Sequence, residues 1–271
     1  AGGQYQLLPF CQDHKRLKDN DEGPNTGGMG AIAPVSKWSK YTQKIKEKIS
    51  DPALAGLKAD RTDYRGVLYF GIMMKAGEPF LLEYNVRFGD PEAQVILPLL
   101  NGDWADVFLS VAKGEMPKLS WKKLFATCVV IAAPGYPDDP IKGAKINIDS
   151  KDFVPSPQQF ILHAGTASHR GYYTNAGRVL NTVGVDKNLP ASRKRAYDLV
   201  QHIQFENMYY RKDIGGAPLP PPKPKPEPLQ GRAKYDMKNT VRGRGAAAAL
   251  AKAKKSKPKS KVKGPAKKKK G

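Results

Sequence analysis

Apolar positions along the first 215 residues form short runs and helical stripes whose period switches several times. Gln4–Pro9 reads as a strand, and residues 10–30, rich in Gly, Asp and Asn, read as a long loop. Trp38, Tyr41, Ile45 and Ile49 fall near one face of a helix, with Ser36 placed to cap it. Gly66–Met74 and Phe80–Phe88 are strand-like, and Lys75-Ala76-Gly77-Glu78-Pro79 between them predicts a hairpin. Trp104, Val107, Phe108 and Val111 repeat at helical spacing, and Gly114 stops that helix. A second unit begins near Trp121. It holds a buried-type strand at Phe125–Ala133, a turn at Pro134–Pro137 and short strands around Phe160–His163 and Arg178–Val185. Ala196, Leu199, Val200 and Ile203 make the apolar stripe of a closing helix. Strands mixed with helices, some at hairpin distance, predict an α+β or mixed α/β architecture.

Composition changes abruptly after Gly216. From Ala217 to Gly271 there are 18 Lys+Arg against 2 Asp+Glu, a net +16, while the preceding residues carry 28 against 23, a net +5. The body is therefore an ordinary, slightly basic protein, and the overall charge of +21 is no argument for a nucleic-acid-binding fold. Pro218–Pro226 predicts an extended polyproline spacer, and the Lys/Pro/Ala sequence beyond it has too little apolar surface to fold. Three segments are expected: 1–118, 119–215 and a disordered basic tail at 216–271.

Two cysteines, Cys11 and Cys128, make no disulfide framework and lack metal-site spacing. Cys128 sits in an apolar run and reads as a buried reduced thiol, which favours a reducing, cytoplasmic setting. No run approaches the ~18 uninterrupted apolar residues of a membrane span, and no signal peptide is visible, so no membrane partner is expected. The chain begins at Ala1 and runs directly into a strand-like segment, as a piece of something longer would.

Two constellations carry chemistry. On a strand at Phe80–Phe88, Glu83, Asn85 and Arg87 share one face, and Leu82, Tyr84, Val86 and Phe88 the other. A carboxylate and a carboxamide oxygen two residues apart can hold a hard cation such as Mg²⁺, and an arginine beside them can neutralise a phosphoryl group. A solvated strand face with an incidental ion pair has the same alternation. The second constellation is Gln12-Asp13-His14-Lys15-Arg16 followed by Gly23-Pro24-Asn25-Thr26-Gly27-Gly28-Met29-Gly30. Four glycines within those eight residues let backbone amides approach an anion, although such clusters also simply mark mobile loops. The spacing fits neither a Walker A loop nor a dinucleotide fingerprint.

Taken together, residues 4–215 resemble the C-terminal half of the glycinamide ribonucleotide synthetase (phosphoribosylamine–glycine ligase) family. The matching blocks are QDHKR at Gln12–Arg16, GPNTGGMG at Gly23–Gly30, GVLYFGIMM at Gly66–Met74 and LEYNVRFGDPEAQ at Leu82–Gln94. HAGT at His163–Thr166, NAGRVL at Asn175–Leu180 and RKDIG at Arg211–Gly215 follow in the family's order. The resemblance implies an ATP-grasp subdomain at 1–118 and a small mixed α/β C-terminal domain at 119–215. It also implies ATP-dependent joining of glycine to 5-phosphoribosylamine through glycyl phosphate. Glu83 and Asn85 then match the metal-ligand positions for Mg²⁺ or Mn²⁺, and Arg87 and Lys15 are the catalytic candidates. Asp13, Gly27, Gly28, Gly30 and Asp90 are candidates for substrate and phosphate binding. His14 is expected to orient or pack its loop, His163 to support a turn, and Arg211-Lys212-Asp213 to lock the C-terminal domain.

The family's N-terminal domain and first half of the grasp module have no counterpart in this sequence, so ligation is expected to need that half, either in a longer reading frame of which this is a fragment or as a separately encoded partner. The tail departs from the family and resembles linker-histone tails in composition alone. A rival expectation follows: an inactive synthetase remnant whose tail binds nucleic acid non-specifically, with steep salt dependence.

Overall fold

Phe125-Ala-Thr-Cys-Val-Val-Ile-Ala132 is apolar at nearly every position, a pattern that suits a strand covered on both faces. In the computed structural model, which describes residues 1–149 and 153–217, this segment is β7 (Phe125–Ala132), buried along its whole length except at Phe125. Expectations for the Pro/Lys/Ala-rich sequence from residue 218 lie outside the described residues.

β7 is the middle strand of an antiparallel five-stranded sheet. Its order runs β1 (Gln12–Asp13), β4 (Gly30–Ala33), β7, β12 (Arg178–Asp186), β9 (Gln159–His163). Alternation sorts the β7 side chains between two cores. Val129 and Ile131 join Val179, Ala196 and Val200 under α5 (Leu189–Val200), where Thr127 Oγ1 meets Ser192 Oγ at 2.8 Å. Ala126 and Cys128 face the other way, onto Val95 and Ile96 of α3 (Ala93–Ile96). Cys128 is thus the buried free thiol that its sequence context predicts. The sheet draws strands from both sides of residues 118/119, since β1 and β4 precede that point and β7, β9 and β12 follow it.

A second antiparallel sheet runs β10 (Thr166–Ser168), β11 (Tyr172–Thr174), β8 (Lys145–Ile148), β13 (Ile203–Gln204). Two ribbons complete the strands: β2 (Arg16–Lys18) with β3 (Glu22–Asn25), and β5 (Tyr69–Lys75) with β6 (Glu78–Asn85). The architecture is mixed helix and sheet with antiparallel pairing throughout, the α+β arrangement expected.

Several local expectations change. Gln4–Pro9 has no ladder partner among the described residues and forms no strand. Residues 10–30 are not one loop, because β1, β2, β3 and the start of β4 lie within them. Ser36 opens a 3₁₀ turn at Ser36–Tyr41 and caps nothing; helix follows as α1 (Thr42–Ile45), a π-turn at Lys46–Ser50 and α2 (Asp51–Ala59). Ile45 and Ile49 are buried on that helix as their spacing requires. The β5–β6 turn is tighter than five residues: Ala76 and Gly77 alone make it, at φ 51° and 81°, the left-handed backbone a two-residue hairpin turn uses. α4 (Trp104–Ala112) is capped by Asp103, whose carboxylate accepts from Ala105 N at 2.8 Å. The closing helix stops at Val200, so Ile203 belongs to β13, though it stays buried.

β6 does not alternate cleanly. Glu83 pairs with Gly71 and Leu81 with Ile72, so Leu82 is an extra residue at a bulge. The strand ends at Asn85, and Arg87 lies beyond it in a bend, not on a shared strand face with Glu83 and Asn85. Met73, Phe80, Leu82, Tyr84 and Val86 on this ribbon are all at least half exposed, Val86 to 74%.

The C-terminal end of the body is tied to its N-terminal segment by charge. Arg211, 1% exposed, pairs with Asp213 and Asp21 at 2.8 Å each and donates to Arg16 O at 3.1 Å. Lys212 N donates to Asp19 Oδ1 at 2.7 Å, and Asn20 N to Asp213 Oδ2 at 2.8 Å. The RKD segment is therefore a lock, with residues 16–21 as its keeper. Removing one member of a buried charged network strands the others without partners. Arg211→Met is expected to destabilise the chain by roughly 3 kcal/mol or more in urea unfolding. A loss under ~0.5 kcal/mol, the scale of ordinary surface changes, would show that the lock bears no weight.

Candidate functional site

β1 delivers Asp13 into the interior, and the next residues turn back toward the glycine-rich segment. Asp13 Oδ1 is buried without a hydrogen-bond donor, and Lys15 Nζ lies 2.9 Å from Oδ2. Burial and the nearby buried carboxylate of Glu92 outweigh Lys15 and push the Asp13 carboxyl up to about 6. Burial works to lower the Lys15 ammonium, but Asp13, Glu92 and Glu83 together prevail and raise it. Lys15 is half exposed and is the cation among these carboxylates. Glu92 accepts from Tyr69 OH at 2.7 Å, and burial, followed by the Glu92 charge, raises the Tyr69 phenol.

The glycine-rich segment closes on Asp13. Gly28 has φ 116°, and a Cβ there would stand 2.7 Å from Asp13 Oδ1 and 2.5 Å from Pro91 Cδ, so glycine is needed both for the backbone and for the space. Its neighbours are held by hydrogen bonds within the chain. Gly27 N donates to Tyr136 OH at 2.8 Å, Gly28 N to Thr26 Oγ1 at 3.0 Å and Met29 N to His14 O at 2.9 Å. Gly30 pairs with Val129 in the sheet. The amides that the sequence suggested for an anion are thus already donating at Gly27, Gly28 and Met29.

His14 is buried with its ring between two backbone groups: Nε2 accepts from Gly215 N at 3.2 Å, so Nδ1 carries the proton toward Gly30 O, also at 3.2 Å. Burial, then Arg211, lowers its pKa and keeps it neutral. It packs its segment, as the sequence suggested. His163 Nδ1 lies 3.0 Å from Thr166 Oγ1 at the HAGT turn.

Asp13, Lys15, Glu83, Tyr69 and Glu92 all line one cavity of about 1290 Å³, whose walls include the unpaired N-terminal segment and β5. Asn85, Arg87, Asp90, Gly27, Gly28 and Gly30 do not line it. Glu83 and Asn85 stand opposite Gly71 and Tyr69 on the ribbon, and Arg87 Nη1 donates to the adjacent Phe88 O at 2.8 Å. Asp90 is engaged on both carboxylate oxygens, by Gln94 Nε2 at 2.9 Å and Arg178 Nη2 at 3.3 Å. Sequence reasoning missed four contributors: Tyr69, Glu92, Tyr136 and Arg178. Each lay in or beside a quoted motif, but their roles depend on contacts far apart in sequence.

An antiparallel sheet, a largely apolar cleft with a carboxylate–lysine cluster in its wall, a glycine segment and a carboxylate–carboxamide pair on a ribbon together fit the C-terminal part of an ATP-grasp fold. Family comparison agrees. The phosphoribosylglycinamide synthetase ATP-grasp (A) domain model matches residues 1–93, and that family's C domain model matches residues 126–217. The chain belongs to the phosphoribosylglycinamide synthetase family. It is 41% identical over 214 residues to a phosphoribosylamine–glycine ligase of Thermotoga maritima, covering 79% of this chain and 52% of the relative. With a Corynebacterium ammoniagenes ligase of the same name, identity is 43% over 216 residues, covering 78% and 50%. The crystal structure of the Thermotoga maritima ligase superposes with a TM-score of 0.70 at 40% identity, over 78% of this chain and 52% of that one. An Anaerococcus prevotii phosphoribosylglycinamide synthetase shares the fold at TM-score 0.52 and 12% identity, over 72% and 48%. The chain thus spans about half the length of the relatives it matches.

The Asp13 environment gives a pH-dependent expectation. A carboxyl raised in the folded state binds its proton more tightly there, so it removes stability as pH climbs from its unfolded value through about 6. Asp13→Asn should therefore stabilise the chain near pH 7 by up to about 3 kcal/mol, and by almost nothing near pH 3. Paired urea titrations at the two pH values check this, and a gain equal at both would show that Asp13 is ionised without penalty.

Proposed function

We propose that this chain is the C-terminal grasp portion and C-terminal domain of an ATP-dependent ligase that joins glycine to 5-phosphoribosylamine in purine biosynthesis. The observation that carries the reading is the pair of consecutive family matches, supported by relatives of about 40% identity named phosphoribosylamine–glycine ligase. Residues 1–118 are the grasp portion and 119–215 the C-terminal domain in this reading; the two family matches fall in that order.

ATP is the co-substrate. Its γ-phosphoryl group would activate the glycine carboxylate as glycyl phosphate, and the amine of phosphoribosylamine would displace phosphate. Phosphoryl transfer asks little covalent chemistry of a protein and mostly cations aimed at developing charge. Lys15, held by Asp13 at the cavity wall, supplies one such cation, and Arg87 supplies a second beyond the end of β6. Asp13 borders the substrates at the cavity wall, while Asp90 and the backbone of Gly27, Gly28 and Gly30, outside that lining, support it from behind, since the Gly27 and Gly28 amides already donate within the chain.

The donor chemistry fits a divalent ion. Glu83 and Asn85 offer a carboxylate and a carboxamide oxygen on one ribbon, a set that leaves a hard cation room for phosphate oxygens and water. Among the described residues no group of three or more His, Cys, Asp or Glu could hold a metal by itself. The ion would neutralise the transferring phosphate. Among the described residues no helix is long and apolar enough to cross a membrane.

Ligation is proposed to need the part of the relatives that this chain does not span. The chain alone is expected to release no glycine- and phosphoribosylamine-dependent ADP, and to do so when supplied with the N-terminal half of a relative. A supplemented chain that turns over no glycine would remove the reading. For the metal, Glu83→Gln should weaken Mn²⁺ binding in the presence of ATP by roughly tenfold or more, measured by the free-ion EPR signal. Unchanged binding would remove Glu83 from the ligand set.

A further inference from the structure

Tyr136 and Arg178 come from the part of the chain that carries the C domain match, yet both close on the Gly27 peptide. Gly27 N donates to the Tyr136 hydroxyl at 2.8 Å, and Gly27 O accepts from Arg178 Nη1 at 2.9 Å. The peptide on either side of Gly27 is thus gripped at its donor and at its acceptor. The same Arg178 Nη1 donates to Asp90 O at 2.6 Å, and Nη2 is 3.3 Å from Asp90 Oδ2. One guanidinium therefore ties the glycine segment to the turn that carries Asp90, Pro91 and Glu92. Gly177 leaves space that no Cβ could share, and at Gly27 a Cβ would crowd the guanidinium. A Cβ at Gly27 would lie 3.1 Å from Arg178 Cζ, and one at Gly177 would lie 2.1 Å from the Tyr136 ring.

What the grip holds is Asp13. Gly28, next to the gripped residue, is pressed against both the Asp13 carboxylate and Pro91, the neighbour of the tied Asp90: a Cβ on it would stand 2.7 Å from Asp13 Oδ1 and 2.5 Å from Pro91 Cδ. Asp13 in turn holds Lys15 at 2.9 Å. We propose that Tyr136 and Arg178 are positioning residues for the ligase site, clamping the Gly27 peptide against the Asp90 turn so that Asp13 stays covered and Lys15 stays directed into the cavity. The inference rests on the proposed ligase reading for what the site does, and on the geometry alone for how it is held. Arg178 serves three acceptors at once, two carbonyl oxygens from Nη1 and the Asp90 carboxylate from Nη2, so lysine keeps the charge that faces Asp90 while a shorter neutral amide keeps neither the charge nor the reach.

The test uses the full chain, with the Asp13 carboxyl followed by ¹³C NMR against pH. In the wild type, Asp13 faces Glu92 and Lys15 under its cover and titrates at about 6. Arg178→Gln should let water reach the carboxyl and move its midpoint down toward the ordinary value of about 4. Arg178→Lys should hold it near the wild-type value, and Tyr136→Phe should shift it in the same direction as Arg178→Gln but less. A folded Arg178→Gln chain whose Asp13 titrates unchanged overturns the proposal, as does Arg178→Lys behaving like the glutamine variant. Should Arg178→Gln fail to fold, Tyr136→Phe decides alone: a lowered midpoint supports the clamp and an unchanged one overturns it. Because the readout is a titration, a negative result leaves the ligase reading standing, and absence of ligation leaves the clamp standing.

Discussion

A strand buried on both faces must find backbone partners along both edges, because no water reaches its amides and carbonyls. β7 is that strand here, and the sequence on either side of it is arranged to meet the demand. β4 comes from nearly a hundred residues earlier to pair one edge, and β12 from about fifty residues later to pair the other. The site inherits its geometry from this pairing. β4 fixes where the glycine segment ends, β1 pairs with β4 and so sets Asp13, and β12 begins at Arg178. Three of the groups that shape the cleft are thus placed by the register of one sheet.

Charge at the cleft is deliberately unbalanced. The Asp13 carboxylate oxygens are buried near Glu92, and Lys15 is the neighbouring cation that offsets them. A site meant only to be stable would replace such a cluster with apolar packing. A site that must meet phosphates and an amine gains from groups whose protonation and position respond to what arrives. The ribbon β5–β6 makes the complementary statement in apolar terms, with five large side chains left at least half exposed beside the carboxylate–carboxamide pair. Exposed apolar side chains grouped in this way make a surface suited to packing against another element.

Much of the fold could be read from the sequence because its strongest elements have unambiguous periods. β7, β12, α4 and the β5–β6 hairpin all lie where their patterns predict. The segment from Gln12 to Ala33 was illegible for a physical reason: its strands are two to four residues long and, apart from the apolar β4, mostly polar, so no period develops. Arg87 was misjudged because a bulge at Leu82 and a strand end at Asn85 break the alternation that the sequence implied. The metal and cation candidates came from residue chemistry and family resemblance. Tyr136 and Arg178 had no local signal; a tyrosine in a turn and an arginine opening a strand acquire meaning only across 109 and 151 residues.

The lock between residues 16–21 and 211–213 sets an order of events during synthesis. Asn20 waits for Asp213, which is 193 residues away, and Arg16 for Arg211, 195 residues away. Until the ribosome has delivered residues 211–213, the segment bearing Asp13 and Lys15 lacks its charged lock, although the clamp residues Tyr136 and Arg178 come earlier in the chain. Contacts of such long range form late, after closing the intervening loop has cost its entropy. A nascent chain stalled before Arg211 would thus already hold every residue that lines the cavity, none of which lies beyond Leu119, with the segment that carries Asp13 and Lys15 not yet locked in place.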